Sequence, residues 1–228
     1  MFSCCRKNHT EKVLTYYPDS KIKTSYNYLN GKKHGLCIDY YHNGNIEFEY
    51  TYKNGLKNGE YRLYRINGEI FESGTLVDNR KHGLIRIYDS ERYALINYKN
   101  DLLHGESITY FNNGQIHIKC DYKNGQQDRC VVYSESRNLI YEYISKYAKS
   151  ISYYDTGEKN EVIYYNRSKY ETRYIVYYKS GAIKVDAVIN HRNETKSTFK
   201  YYTEDGGPLY DEELIDFYEG ILPQLGPQ

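Results

Sequence analysis

Apolar and polar residues alternate strictly in several stretches of this chain, which is the period of a β-strand with one covered face. One stretch has Ile46, Phe48, Tyr50 and Tyr52 on one side and Glu47, Glu49, Thr51 and Lys53 on the other. Similar apolar series are Ile116, Ile118, Cys120 and Tyr122, and later Ile183, Val185, Ala187 and Ile189. The pattern predicts antiparallel sheet, covered on one side.

Two kinds of glycine-containing string separate the predicted strands. The first is Tyr-x-x-Gly, as in Tyr41-His42-Asn43-Gly44, where Asn-Gly between apolar stretches signals a hairpin. A three-residue loop with Gly44 left-handed would place Tyr40 opposite Ile46 and Ile38 opposite Phe48. We therefore predict hairpins of two strands and two turns, with no room for a helix.

The second string is Gly-x-x-His-Gly or a variant, and it recurs at a nearly constant interval. Its closing positions are 35, 59, 83, 105 and 129, so the steps are 24, 24, 22 and 24 residues. Such a period indicates a repeat array. The predicted structural turn glycines are Gly31, Gly35, Gly44, Gly55, Gly59, Gly68, Gly83, Gly105, Gly114, Gly125, Gly157 and Gly181.

We therefore expect an all-β fold: an elongated, single-layer antiparallel meander of tandem β-hairpin repeats, each about 23–24 residues long. The predicted organisation is a flexible tail at 1–12, well-formed repeats at 13–129, a degenerate repeat or seam at 130–148, degenerate repeats at 149–207, and a C-terminal helix and tail at 208–228. In the last repeats the Tyr-Tyr-x-x-Gly half persists and the Gly-x-x-His-Gly half is lost.

The combination of Tyr-x-x-Gly, a strand and Gly-x-x-His-Gly resembles MORN repeats, in particular the variant of bacterial antitoxin-like and giant-virus arrays. The resemblance is strong over residues 13–125 and weaker over 149–207. It implies a twisted, single-layer antiparallel meander with a binding or scaffolding role, and it implies no catalytic activity.

An amphipathic segment near the C-terminus predicts a short capping helix. Acidic residues begin it at Asp211, Pro223 ends it, and one face carries Leu214, Phe217, Tyr218 and Ile221. Such a helix would cover the last open edge of the array, because repeat arrays need a cap. A helix that docks on a partner is the alternative.

Composition adds a candidate binding face and argues against nucleic acid. Of the aromatic residues, 31 are Tyr and 6 are Phe, while 31 basic and 30 acidic residues leave a net charge of +1. This balance gives no general attraction to nucleic acid. Aromatic pairs stabilise an exposed sheet, but a tyrosine-lined groove can also accept a partner. The candidate binding face comprises Tyr40, Phe48, Tyr50, Tyr52, Tyr110 and Tyr122.

From the histidines and cysteines we expect neither a metal site nor a cofactor. His34, His82 and His104 occupy equivalent positions, but hairpins about 9.5 Å apart are too widely spaced to share one ion, so each is expected to brace its own turn. Five cysteines without Cys-x-x-Cys spacing argue against a disulfide framework and favour an intracellular protein. Acylation of Cys4 and Cys5 would give only a weak membrane contact.

No arrangement of nucleophile, base or paired carboxylates outranks turn chemistry, so we do not expect an enzyme. The predicted function is a non-catalytic repeat scaffold for protein–protein interaction, with an unidentified protein partner. An antitoxin-like immunity protein and a membrane-associated scaffold are the alternatives. The sequence does not specify the oligomeric state.

Overall fold

The structure is a computed structural model that describes residues 9–90 and 92–209. The chain divides into two compact units, Met1–Gln127 and Asp128–Gln228, here called unit 1 and unit 2. The predicted all-β antiparallel meander is confirmed, because the strands pair in antiparallel fashion with strands that are near neighbours along the chain. The cap residues Leu214, Phe217, Tyr218 and Ile221 lie outside the described residues.

Unit 1 is formed by the first eleven strands. Their bounds are β1 Thr10–Tyr16, β2 Ile22–Leu29, β3 Lys32–Tyr40, β4 Ile46–Lys53, β5 Leu56–Tyr64, β6 Ile70–Val77, β7 Arg80–Lys81, β8 Gly83–Tyr88, β9 Arg92–Lys99, β10 Leu102–Phe111 and β11 Ile116–Lys123. Strands β7 and β8 both pair with β6, because the pairing is interrupted at His82.

The remaining strands belong to unit 2, apart from the first two residues of β12. Their bounds are β12 Gln126–Tyr133, β13 Leu139–Ile144, β14 Lys149–Tyr153, β15 Lys159–Asn166, β16 Glu171–Tyr177, β17 Ile183–Asn190, β18 Thr198–Tyr202 and β19 Pro208–Leu209. Two single-turn 3-10 helices, Ser145–Tyr147 and Glu194–Lys196, lie between strands. The prediction that hairpins leave no room for a helix is therefore wrong for unit 2.

The Tyr-x-x-Gly loops are three-residue turns. In the β3–β4 loop the Gly44 amide donates to the Tyr41 carbonyl at 2.9 Å, and the Tyr41 amide donates to the Asn45 carbonyl at 2.8 Å. Gly44 has φ 92°, the left-handed conformation that such a loop requires at its last position. Tyr40 consequently lies opposite Ile46, as the sequence predicts.

Beyond this first pair, the predicted register is wrong by one residue. Asp39, not Ile38, lies opposite Phe48, because a β-bulge follows the Tyr40–Ile46 pair. The same shift occurs beside Tyr16, Tyr64, Tyr110, Tyr133, Tyr153 and Tyr177. Because the extra residue reverses the alternation, Ile46 and Phe48 point to opposite faces.

At the other end of each unit 1 hairpin lies a two-residue turn. Asn30 and Gly31 both have positive φ, 51° and 76°, which is the signature of a type I′ turn. The two residues that close each string lie past this turn and inside the next strand, except for His82, which lies between β7 and β8. In β3, for example, Tyr28 pairs with Lys33 but Tyr26 pairs with Cys37, so His34 and Gly35 form an irregularity within the strand. The prediction that the whole string is a loop is wrong.

The apolar interior consists of small clusters. In unit 1, Tyr61, Leu76 and Ile85 are buried together, and Ile85 is 0% exposed. In unit 2, Ile151, Val162 and Ile175 form one cluster, and Val185, Ala187 and Tyr201 form another. The unit 2 clusters lie on opposite faces. Ile175 of the first cluster pairs with Asp186 and shares its face, whereas Val185 and Ala187 of the second cluster flank Asp186 in β17 and point to the other face.

Two further sequence expectations concern cysteine and the membrane. Cys37 is a free buried thiol, whereas Cys120 and Cys130 are disulfide-bonded, which the sequence argument against a disulfide framework did not anticipate. Within residues 9–90 and 92–209, no helix has the length and apolar character needed to cross a bilayer.

Candidate functional site

The six aromatic residues of the candidate binding face do not share one face. Phe48, Tyr50 and Tyr52 point to the same side of β4. The ring centroids of Phe48 and Tyr50 are 6.2 Å apart, and those of Tyr50 and Tyr52 are 6.4 Å apart. Tyr40 points to the other side, with Ile46. In β10–β11 the bulge likewise separates Tyr110, opposite Ile116, from Tyr122. The sequence could not reveal that these residues lie on two faces, because the extra residue of the bulge is not of one characteristic type.

On the Tyr50 side of unit 1, the tyrosines are already engaged by neighbouring lysines. The Lys57 ammonium lies 3.2 Å from the Tyr50 ring centroid, and the Lys33 ammonium lies 3.7 Å from that of Tyr26. Burial lowers the pKa of Lys57. Burial and the hydrogen bond to Glu72 raise the pKa of Tyr61. These contacts stabilise the sheet itself, which is the structural role predicted for the tyrosine ladders.

All twelve predicted turn glycines have φ between 76° and 129°. Gly35, Gly59, Gly83 and Gly105 nevertheless lie inside strands rather than in turns.

The histidines of the Gly-x-x-His-Gly strings differ in their contacts. Nδ1 of His104 accepts a 3.4 Å hydrogen bond from the Asn124 amide, which belongs to the turn of the following repeat. Asn58 occupies the equivalent position and donates to Asp78 of the next turn at 2.8 Å. His82 is exposed, and Nδ1 of His34 is buried without a hydrogen bond. The predicted bracing of each residue's own turn is therefore wrong for His104, which connects neighbouring repeats.

A second connection between repeats comes from the Tyr-Tyr doublets. The Tyr41 hydroxyl donates to the main-chain carbonyl of Tyr64 at 2.8 Å, and Tyr17 does the same to Tyr40 at 2.6 Å. Equivalent bonds in unit 2 join Tyr154 to Tyr177 and Tyr178 to Tyr202. The recurring second tyrosine was the available sequence signal for this bond, which sequence reasoning missed.

Unit 2 departs from the regular turns along one edge. Three of its hairpins, β13–β14, β15–β16 and β17–β18, place their loops at that edge, because successive strands of a meander alternate in direction. Where unit 1 has two-residue turns, unit 2 has the 3-10 helix Ser145–Tyr147, a loop at 167–170, and a loop at 191–197. Ala148 and Tyr170 have φ of 42° and 55° in these loops, a conformation that non-glycine residues seldom adopt.

These loops border an open pocket of about 700 Å³, a volume within the range of ligand sites. Its walls are tyrosines from β13 and β15 together with polar groups from the loops. The lining residues are Tyr141, Tyr143, Ala148, Tyr165, Asn166, Arg167, Tyr170, Glu171, Thr172 and His191. None of them was predicted as a site residue. The signal in the sequence was the loss of the Gly-x-x-His-Gly half in these repeats.

Hydrogen bonds join the strands and loops that line the pocket. The Thr172 hydroxyl and Nε2 of His191 are 2.8 Å apart, and the His191 amide donates to the Tyr170 carbonyl at 2.8 Å. Nδ2 of Asn190 donates to Glu171 at 3.4 Å. Burial raises the pKa of Tyr141, as expected for a phenol set in an apolar wall.

The Thr172–His191 pair has the spacing of a nucleophile and a general base. Thr172 is only 5% exposed, which leaves its hydroxyl little access to a substrate. Within residues 128–193 and 195–209, no carboxylate hydrogen-bonds the other nitrogen of His191 to orient the ring. The pair is therefore suited to holding the 191–197 loop against β16. Within residues 9–90 and 92–209, no three His, Cys, Asp or Glu side chains are grouped as metal ligands.

Comparison with known proteins gives a family match over two segments. Residues 33–54 and 103–124 match the MORN repeat variant, and each segment spans one hairpin of unit 1, β3–β4 and β10–β11. The match concerns the repeat, so the antitoxin-like or giant-virus subtype stays a prediction. No curated protein matches the sequence.

Among solved structures, the GtfA/B complex bound to UDP and GlcNAc is 16% identical, with a TM-score of 0.22, over 49% of this chain and 23% of that chain. The TcdB2-TccC3-TEV structure is 10% identical, with a TM-score of 0.23, over 89% of this chain and 13% of that chain. The chain thus spans less than a quarter of either, and neither similarity bears on function.

Proposed function

We propose that the chain is a non-catalytic β-hairpin repeat scaffold that binds a protein partner, and that the unit 2 pocket is the contact. The MORN-type hairpins support a repeat scaffold. The observation that carries the proposal is the change along the unit 2 edge, where regular turns give way to loops that border a tyrosine-lined pocket. Deviations from a repeat's local rules are expected at functional sites.

The exposed tyrosines of this pocket suit protein recognition. Tyr165 and Tyr170 are 42% and 46% exposed, so a partner could bury much additional ring surface. Tyrosine is enriched in protein interfaces, because its ring supplies contact area at low entropic cost and its hydroxyl supplies a hydrogen bond. In unit 1, by contrast, lysines of the same unit already cover Tyr50 and Tyr26.

Affinity capture from native cells, with mass spectrometry of the bound proteins, tests the proposal. The full chain is compared with Tyr165→Leu and with the matched control Tyr164→Leu. Tyr164 is the adjacent residue, is similarly exposed at 38%, and points to the opposite face. We expect one polypeptide to be lost with Tyr165→Leu and retained with Tyr164→Leu. Equal capture by all three proteins would contradict the assigned contact.

The identity of the captured protein would also separate the remaining alternatives. A toxin that the chain inhibits would favour the antitoxin-like role. The membrane-associated alternative depends on Cys4 and Cys5, which lie outside the described residues, and vesicle flotation with and without residues 1–10 tests it.

A further inference from the structure

The charged side chains near the unit 2 pocket lie on different faces of the sheet. Tyr165 of the pocket pairs with Thr172, and Glu171 precedes Thr172, so the Glu171 carboxylate points to the opposite face. There Glu171 and Tyr164 line a second pocket of about 280 Å³. Glu161 shares the face of Tyr165 but does not line the unit 2 pocket, because it lies four residues away along β15, about 13 Å. Among the lining residues, none directs a carboxylate at the tyrosines.

Arg167 is the remaining charged residue of the lining. It is exposed, and within residues 128–193 and 195–209 its guanidinium makes no ion pair or hydrogen bond. A second guanidinium, that of Arg192, lies 3.4 Å from the centroid of the Tyr170 ring, which also lines the pocket. Two guanidiniums at one pocket attract an anion and repel a cation. The planar fork of Arg167 suits a carboxylate, to which it can donate two hydrogen bonds.

The loops that border the pocket carry further positive charge. The loops at 145–148, 167–170 and 191–197 contain five lysines and arginines but one acidic residue, Glu194. All five basic residues are exposed: Lys146, Arg167, Lys169, Arg192 and Lys196. The five two-residue turns of unit 1, at 30–31, 54–55, 78–79, 100–101 and 124–125, contain no lysine or arginine and two aspartates. The positive charge thus belongs to the loops that replace the regular turns.

The opposite edge of unit 2 has the opposite balance of charge. Its loops lie at 134–138, 154–158, 178–182 and 203–207, and they contain five acidic residues and two basic ones. The acidic residues are Glu135, Asp155, Glu158, Glu204 and Asp205, and the basic ones are Arg137 and Lys179. Such a division orients a charged partner, because complementary potentials steer the encounter and like charges repel it. An acidic partner is therefore directed to the edge that holds the pocket.

The remaining lining adds apolar surface beside this charge. Four rings, those of Tyr141, Tyr143, Tyr165 and Tyr170, line the pocket. They favour an occupant with an apolar or aromatic side chain next to its carboxylate. A protein segment fits better than nucleic acid, because the positive charge is confined to one edge and the whole chain has a net charge of only +1.

We propose that the unit 2 pocket binds an acidic segment of the protein partner. An aspartate or glutamate of that segment pairs with Arg167, and a neighbouring apolar side chain packs against Tyr141 and Tyr165. The inference rests on the proposed scaffold function for the source of the segment, but the chemistry of the pocket can be tested without the partner.

The test uses short peptides and the full chain. The acidic probe is the N-acetylated, C-amidated peptide Asp-Glu-Leu-Phe-Glu, and its controls are the neutral counterpart Asn-Gln-Leu-Phe-Gln and the basic counterpart Lys-Lys-Leu-Phe-Lys. Each is titrated while the tyrosine ring signals are followed by NMR. We expect the acidic peptide to shift the Tyr165 signals and to bind about fivefold or more tightly than the neutral peptide. Its affinity should fall as sodium chloride rises from about 50 mM to about 500 mM, because the exposed loop charges are screened.

Substitutions assign the effect to the pocket. Arg167→Gln should weaken binding of the acidic peptide severalfold and leave binding of the neutral peptide unchanged. Lys179→Gln is the matched control, because it removes one positive charge at the opposite edge of unit 2. Tyr165→Leu should weaken binding of both peptides, whereas Tyr164→Leu should weaken neither. Equal binding of the acidic and neutral peptides, or an effect of Arg167→Gln no larger than that of Lys179→Gln, would overturn the inference.

Two other anionic ligands are tested in the same way. Oligothymidylate supplies a phosphate backbone with bases that can stack on tyrosine, and vesicles containing phosphatidylserine supply an anionic membrane surface. Binding of either that depends on Arg167, together with failure of the acidic peptide to bind, would overturn the assignment to a protein segment.

The two proposals fail in different ways. Partner capture that depends on Tyr165 but is unchanged by Arg167→Gln and by salt leaves the scaffold proposal standing and removes the acidic segment. Binding of the acidic peptide that depends on Arg167, without any captured partner, keeps the pocket chemistry and removes the proposed scaffold function.

Discussion

Ile85 is completely buried because its side chain occupies the space above Gly74, where any other residue would place a Cβ atom. A Cβ at position 74 would lie 2.3 Å from Cδ1 of Ile85 and 3.3 Å from both Cα of Ile85 and the Leu84 carbonyl oxygen. The first contact involves a flexible side-chain end, but the other two involve the backbone. Gly74 thus permits close packing at the centre of the unit 1 cluster.

Gly74→Ala should destabilise the protein by about 1–3 kcal/mol, because overpacking forces side-chain and backbone shifts. Urea unfolding followed by circular dichroism measures the change. Ile85→Val, which removes Cδ1, should cost about 0.5–1.5 kcal/mol alone. The double variant should lose less free energy of unfolding than the two single variants lose in total. Losses that add strictly would contradict the packing explanation.

Tyr41→Phe removes the hydroxyl that donates to the Tyr64 carbonyl. We expect a loss of about 1 kcal/mol in the free energy of unfolding, because a hydrogen bond is lost and a carbonyl is left without this donor. Tyr16→Phe is the control, since Tyr16 is 55% exposed. Hydrogen exchange should show faster exchange at the β3–β4 and β5–β6 loops, and unchanged protection there would mean that the bond contributes nothing.

Gly114→Val should cost more than about 1 kcal/mol, because Gly114 has φ 80° and a β-branched residue is strained there. No atom lies within 4 Å of a Cβ at this position, so the cost is conformational rather than steric contact with neighbours. Gly114→Asn is the matched control, since Asn tolerates the left-handed conformation. Equal melting temperatures for the two variants would contradict this reasoning.

The ion pair between Arg173 and Asp186 predicts a dependence of stability on acid. Nε and Nη2 of Arg173 donate to the two Asp186 oxygens at 2.9 and 2.7 Å, and this pairing lowers the pKa of Asp186. A carboxyl whose pKa is lower in the folded state contributes stability above its unfolded pKa, about 3.9, and loses it as the pH falls through the folded value.

Asp186→Asn should therefore be less stable than the parent protein at pH 7, and the difference should shrink as the pH falls below about 4. Urea unfolding at pH 7 and pH 3 measures it. The exposed position of Arg173 limits the effect through solvent screening. A difference that grows on acidification would contradict the assigned pairing.

The alternation and the glycine spacing were sufficient to predict the strands, the meander and the Tyr-x-x-Gly turns. The bulges were not predictable, because the extra residue is Glu47 in one repeat and His117 in another, with no shared chemistry. In the shorter, 22-residue step the bulge is absent and Tyr88 continues in register with Ile87. A step that is two residues shorter is thus accompanied by a different local register. The alternation of apolar and polar residues alone would give the same register in every repeat.

The pocket was less predictable than the sheet, because a cavity depends on loops from three hairpins rather than on any one of them. Tyr141 and Tyr165 are 24 residues apart and look like ordinary ladder tyrosines. The position of Tyr170 distinguishes them from other tyrosines. Tyr170 has a left-handed conformation, but no glycine at that position marks it in the sequence. The sequence marked this region only as degenerate, and local degeneracy is where tertiary structure decides the outcome.

The Tyr41–Tyr64 hydrogen bond spans 23 residues, nearly the length of one repeat, and so do its counterparts from Tyr17 and Tyr154. A gene duplication or deletion that removes or adds one whole repeat therefore gives every remaining hydroxyl a new carbonyl in the same place. An insertion of another length within a repeat would leave a donor and an acceptor mismatched. The array can thus change its number of hairpins during evolution in whole-repeat steps, without passing through an intermediate that has lost these bonds.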